Sequence, residues 1–196
     1  MSVTTVMLVG VGGQGTILAA DVLAKVAASS GLDVKLSEVH GMSQRGGSVD
    51  TLVRFGDHVH SPVIGPGEAD HLVAFEVLEA ARWLHYVKPD GRLVVSTRMI
   101  APMPVLIGEW GTPAGFQAAL ACEGAVLIDA DGAACEMGSP RSGNIVLLGA
   151  LSKGLPFPVE TWRDVIAKRV PAKTVEANLA AFERGRALCE EEECRP

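Results

Sequence analysis

A chain of 196 residues, 48% of them apolar and with a mean hydropathy of +0.27, is long enough to bury a sizeable core, and a single domain over residues 1–196 is the expected arrangement. Its net charge of −6 and pI near 5.4 offer no positive field to a polyanion, which argues against nucleic acid as a partner. Aromatic residues make up only 5%, so the body is packed from Ala, Val, Leu and Gly, with apolar surface left over for a partner.

Val3 to Val9 is an apolar, β-branched run and reads as a buried parallel strand. Gly10-Val11-Gly12-Gly13-Gln14-Gly15 follows, then a stretch with Ile17, Leu18, Val22, Leu23 and Val26 at helical spacing. Gly10, Gly12 and Gly15 thus fit G-x-G-x-x-G at a strand-to-helix turn, the context in which the pattern has physical meaning. Such a turn directs unpaired backbone N–H groups and the positive end of a helix dipole at an anion. The competing reading is that the glycines only let the helix pack close to the strand.

Gly31 suits a helix C-cap, and Val34 to Val39 is a second strand. It ends in His40-Gly41-Met42-Ser43-Gln44-Arg45-Gly46-Gly47, where Arg45 offers a fixed fork of donors and the glycines allow close backbone approach. Ser48 to Phe55 alternates as a strand, and Gly56-Asp57 turns the chain back into a short segment around His58 and His60. Those two histidines lack a third ligand nearby and read as solvated imidazoles. Pro62 to Gly67 is a loop, His71 to Phe75 a strand, and Glu76 to Tyr86 a helix with Val77, Leu78, Ala81 and Leu84 on one side. Lys88-Pro89-Asp90-Gly91 has the composition of a turn, Arg92 to Thr97 that of a buried strand, and Ile100 to Gly108, with two prolines, that of an extended edge.

Phe116 to Glu123 is helical, Ala125 to Asp129 a strand, and Asp131 to Met137 a short helix. Ser142-Gly143-Asn144 opens a helix with Ile145, Leu148 and Leu151 on its apolar face, which Pro156 and Pro158 stop. Glu160 to Val170 and Thr174 to Glu191 close the chain as helices. Interleaved strands and helices predict an α/β fold, a mostly parallel Rossmann-like sheet flanked by helices, with a helical C-terminal segment.

The uncharged first twenty residues have no Lys or Arg before them, and their glycine cluster would break the apolar helix of a secretory signal. Charge, Pro or Gly interrupts every later apolar stretch before spanning length, so a cytoplasmic protein is expected. Cys122 and Cys135 read as small core residues, and Cys189 and Cys194 as part of a solvated, glutamate-rich helix end. There is no C-x-x-C, hence no expected iron–sulfur or zinc site. Glu38 lies where a dinucleotide-binding domain places its ribose-binding acid. Against that, neither a nucleophile elbow nor a phosphate-transfer signature is present. The chain offers binding chemistry without a complete catalytic set.

Several stretches resemble one family. Gly10 to Gly15, Glu38 to Val49, Leu78 to Leu84, Asn144 to Ala150 and Pro171 to Gly185 are similar, in order, to small (beta) subunits of indolepyruvate:ferredoxin oxidoreductases. These are the free-standing form of the gamma domain of 2-oxoacid:ferredoxin oxidoreductases. Glu109-Trp110-Gly111-Thr112-Pro113 departs from the family, which would have a Tyr-Pro pair there. The resemblance implies oxidative decarboxylation of an aryl 2-oxoacid (indolepyruvate or another aryl pyruvate) with coenzyme A, and ferredoxin as electron acceptor. It places thiamine diphosphate and iron–sulfur clusters on a larger catalytic subunit and none on this chain, which has no catalytic residues of its own. Gly10, Gly12, Gly13, Gln14, Gly15, Ser43, Gln44, Arg45, Gly46 and Gly47 would then form part of the coenzyme A surface. Two alternatives stand beside it: a self-contained Rossmann-type dinucleotide oxidoreductase, which Glu38 favours, and a scaffold whose glycine turn serves packing alone.

Overall fold

A computed structural model describes residues 2–43, 46–111 and 113–193. Six strands form one sheet: Thr4–Val11 (β1), Asp33–His40 (β2), Ser48–Gly56 (β3), Ala69–Ala74 (β4), Val87–Ser96 (β5) and Val126–Ile128 (β6). They lie in the order β2-β3-β1-β4-β5-β6. β1, β4, β5 and β6 pair in parallel, whereas β3 is antiparallel to both β1 and β2. Five strands therefore share one direction and β3 alone opposes them. This is the mostly parallel α/β sheet that the interleaved pattern predicts.

Alternation along β1 divides the core. Val6 and Leu8 face one layer, with Val53, Phe55, Val73 and Val94 beside them. That layer is covered by Thr16–Ser29 (α1), Ala130–Glu136 (α5), Gly143–Ser152 (α6), Val159–Arg169 (α7) and Val175–Glu193 (α8). Met7 and Val9 face the opposite layer, covered by Val77–Trp83 (α2) and Phe116–Cys122 (α4). A strand covered on both sides needs apolar residues at every position, which is why β1 reads as a continuous apolar run. Helix α6 is buried from Asn144 through Ser152, so its apolar residues are not confined to the Ile145, Leu148, Leu151 stripe.

Several local expectations differ from the structure. Lys88 to Gly91 does not end a strand. Pairing of β4 with β5 passes from Ala69–Val87 to His71–Arg92, so Asp70 alone opposes four residues and the Lys88 ammonium contacts its carboxylate. Residue 91 must be glycine there, because a Cβ would lie 2.4 Å from Val87 Cγ1. Met103–Leu106 is a short helix (α3) rather than extended chain. The buried side of α2 is Val77, Glu79 and Ala80, not the Val77, Leu78, Ala81 row. Cys122 and Cys135 are exposed and Cys189 is fully buried, the reverse of the expected placement. No helix among the described residues is long and apolar enough to cross a membrane.

Candidate functional site

The two glycine-bearing loops meet because β3 pairs antiparallel with β1. The register that sets Gly10 opposite Val49 and Val11 opposite Ser48 continues beyond the strands. Gly12 N–H donates to Gly47 O (2.8 Å), and Gly46 N–H donates to Gly12 O (3.3 Å). Both backbone groups of Gly12 are thereby engaged, so Gly12 is no donor to a ligand in this arrangement. Among the described residues the N–H groups of Gly13 and Gly15 have no acceptor. Gln44 and Arg45 lie outside the described residues.

Gly13 and Gly15 have φ of +100° and +81°, a region that L side chains rarely adopt. Gly15 is also the N-cap of α1, with no side-chain cap and no acidic residue in the first turn. The positive end of that helix therefore has no counter-charge from its own first turn. Two amide side chains fix the turn. Gln14 Oε1 accepts from Val11 N–H (2.8 Å), and its Nε2 donates to Phe75 O (3.0 Å), just past the end of β4. Asn144, 6% exposed in the first turn of α6, donates from Nδ2 to Gly15 O (3.2 Å). The outer glycines make room for these amides: a Cβ on Gly10 would lie 2.6 Å from Gln14 Oε1, and one on Gly15 2.6 Å from Asn144 Nδ2. A Cβ on Gly13 would meet nothing within 4 Å.

Gly13 stands between two cavities. One, of about 470 Å³, is walled by Gly12, Gly15, Thr16, Glu38, His40 and Ser43, so the two loops do share a cleft. The other, of about 260 Å³, lies at the ends of β1, β4 and β5 and is lined by Gln14, Ser96, Arg98, Asp131, Arg141 and Asn144. This second cavity occupies the point where the chain leaves β1 for β2 on one side and enters β4 on the other, the usual ligand crevice of an open α/β sheet. Arg98 Nη1 pairs with Asp131 (3.1 Å), and among the described residues Arg141 has no ion pair. Sequence reasoning missed Arg98, Arg141 and the role of Asn144. The only local signal was the Ser142-Gly143-Asn144 helix start.

Arg98 is held from behind. Its carbonyl accepts Val77 N–H (2.9 Å), and buried Glu76 takes Ile100 N–H on Oε1 and Glu79 N–H on Oε2 (both 2.9 Å). Burial raises the Glu76 carboxyl above its ordinary range, against the pull of those hydrogen bonds. Asp50, on β3, is likewise raised, first by burial and then by the Glu79 carboxylate.

Strand order decides against a dinucleotide site. In that fold the strand carrying the ribose-binding acid lies beside β1. Here β3 intervenes, moving Glu38 outward by one strand spacing, about 4.8 Å. Glu38 faces the larger cavity with His40 Nε2 3.7 Å away. For metal chemistry, Cys122, Cys135 and Cys189 sit on α4, α5 and α8, and no group of three ligating side chains converges among the described residues.

Residues 5–188 match the family model described as pyruvate ferredoxin/flavodoxin oxidoreductase. The chain is 38% identical over 187 residues to the indolepyruvate oxidoreductase subunit IorB of Thermococcus kodakarensis, covering 92% of this chain and 93% of that one. Among solved structures it resembles the gamma subunit of a keto/oxoacid ferredoxin oxidoreductase from Geobacter sulfurreducens. That likeness has 25% identity and a TM-score of 0.70, over 96% of this chain and 99% of that one. It also matches the 2-oxoglutarate:ferredoxin oxidoreductase of Magnetococcus marinus, solved with 2-oxoglutarate, coenzyme A and succinyl-CoA bound. There the identity is 25% and the TM-score 0.73, over 97% of this chain but only 32% of the longer one.

Proposed function

Because the chain belongs to the pyruvate ferredoxin/flavodoxin oxidoreductase family, we propose that it is the non-catalytic small subunit of a coenzyme A-dependent 2-oxoacid:ferredoxin oxidoreductase, acting on indolepyruvate or another aryl pyruvate. The whole of residues 1–196 forms one gamma-type domain in this reading. The large partner subunit carries thiamine diphosphate, the iron–sulfur clusters and the oxoacid, ferredoxin takes the electrons, and the complex is cytoplasmic. This chain's part is to complete the coenzyme A side of the site.

One observation carries that assignment: a glycine turn at an uncapped helix N-terminus, with the Gly13 and Gly15 N–H groups without acceptors among the described residues, at the wall between two cavities. Coenzyme A brings a diphosphate and a ribose phosphate, which need close backbone donors and fixed cations. The turn provides the donors. On one side of Gly13, Arg141 supplies positive charge, with Arg98 beside it and partly offset by Asp131. On the other side Ser43 lines the larger cavity, and this reading assigns the cation of the second loop to Arg45.

Coenzyme A kinetics of the assembled complex test the reading. Losing a charge-assisted contact costs on the order of 1.5–3 kcal/mol, so Arg45→Ala should raise the KM for coenzyme A roughly tenfold or more. The oxoacid KM should hold, since that substrate sits on the partner. An unchanged coenzyme A response with a weakened complex would instead make Arg45 an interface residue.

A further inference from the structure

The four residues Gly12 to Gly15 contain two glycines at positive φ, and such a segment on its own samples many shapes. A turn that must present two N–H groups to a phosphate loses affinity for every shape in which they point elsewhere. Something has to hold it. Every polar group of the Gln14 side chain is directed inward: one end to the turn's own strand at Val11, the other across to Phe75 beyond β4. Asn144 approaches from the opposite side, on α6, with its Nδ2 on Gly15 O and its Oδ1 accepting Ile145 N–H (3.0 Å). The two amides grip the turn at successive residues from two different elements, and the glycines at positions 10 and 15 are the space they occupy.

We infer that Gln14 and Asn144 are positioning residues that lock the ligand-facing turn in its binding shape and do not themselves bind ligand. The inference rests on the coenzyme A reading above. Each glycine of the motif then has its own part. Gly10 and Gly15 admit the two amides, Gly12 joins the second loop, and Gly13 faces the ligand. The same arrangement explains why Asn144, 129 residues away in sequence, belongs to one site with Gly15.

Gln14→Met and Asn144→Leu remove the amides while keeping size and neutrality. In the assembled complex each should raise the KM for coenzyme A about tenfold, the loss of roughly one neutral hydrogen bond. At saturating coenzyme A, kcat and the oxoacid KM should stay within about twofold, because a loosened turn is re-ordered by bound ligand. Hydrogen–deuterium exchange over residues 12–17 should quicken in both variants and return to the wild-type rate on adding coenzyme A. Faster exchange with an unchanged coenzyme A KM would overturn the inference, as would parallel losses in kcat, both KM values and subunit co-elution. Should one variant not assemble, the other, on a separate element, carries the same comparison. A wild-type complex that does not saturate with coenzyme A would refute the coenzyme A reading instead, and exchange in the unliganded variants would still decide whether the amides hold the turn.

Discussion

Substituting Gly185 by alanine tests whether the helical layer is packed as closely as described. Helices α6 and α8 meet backbone to backbone: a Cβ on Gly149 would lie 2.1 Å from Phe182 O, and one on Gly185 only 1.9 Å from Val146 O. To bring the second distance out to 3.0 Å, the helices must part by about 1.1 Å. The Val146 carbonyl belongs to a buried helix and cannot swing aside, so α8 must yield, disturbing the Phe182 ring stacked on Trp162. Overpacking of this sort costs about 1–3 kcal/mol and here falls toward the upper end. Alanine returns up to about 1 kcal/mol of helix propensity, leaving a net loss of about 2 kcal/mol. For a protein of this size that lowers Tm by about 4–8 °C, measurable by circular dichroism. Gly138→Ala, at φ +71° but in open space, is the comparison and should lose about 1 kcal/mol from backbone conformation alone. A Gly185→Ala protein melting at or above the wild-type temperature would refute the packing argument. The shift matters for the site, because Ser142 Oγ donates to Asn178 Oδ1 (2.8 Å) and so ties the start of α6, where Asn144 sits, to α8.

Asp50→Asn should stabilise the protein at pH 7, with the gain fading as pH falls toward the ordinary carboxylate range. Folding raises this carboxyl, so the folded chain holds the proton more tightly than the unfolded chain, and stability from this group falls as pH rises through the raised value. An equal gain at pH 7 and at about pH 4 would refute the electrostatic cause. In thiol labelling followed by peptide mass spectrometry, Cys122 and Cys135 should react quickly and Cys189 only on unfolding. Labelling of Cys189 at the rate of Cys122 would mean that α8 is not seated on the sheet.

The start of the fold was legible because its signals are local. A run covered on two faces, a glycine turn and a 3.6-residue periodicity follow one another within thirty residues, and each implies the next. What escaped was set by pairing across the sheet. Nothing in Lys88-Pro89-Asp90-Gly91 distinguishes a turn from an excursion within a strand, since the difference lies in Ala69 and His71 on the neighbouring strand. The position of Cys189 was readable in principle: it is seven residues after Phe182 and so shares its helix face, but the run of four glutamates behind it suggested solvent. Glu79 misled in the same way, as a charged residue on the buried side of a short helix, where Ser48 Oγ and Arg82 Nε both donate to its carboxylate.

The glycine motif does join a strand to a helix as expected, and could still have led to the wrong chemistry. Strand, glycines and helix are common to every phosphate-binding turn of this kind, so the motif selects an anion and says little about which one. Discrimination comes from what stands beside the turn. A parallel strand adjacent to β1 would bring its terminal acid to the ribose, as a dinucleotide requires. An antiparallel β3 in that place instead brings a second glycine-bearing loop, through the Gly12–Gly47 pair, and holds the acid one strand away. The hairpin from β2 to β3 thus turns the same motif from one wall of a dinucleotide crevice into the junction of two loops and two cavities. Arg98 and Arg141 lie on one side of that junction and a partly apolar cleft with exposed Ile17 on the other. Such a junction is long, unevenly polar and open to solvent. It suits an extended ligand with charge at one end, the kind of ligand the proposed function calls for.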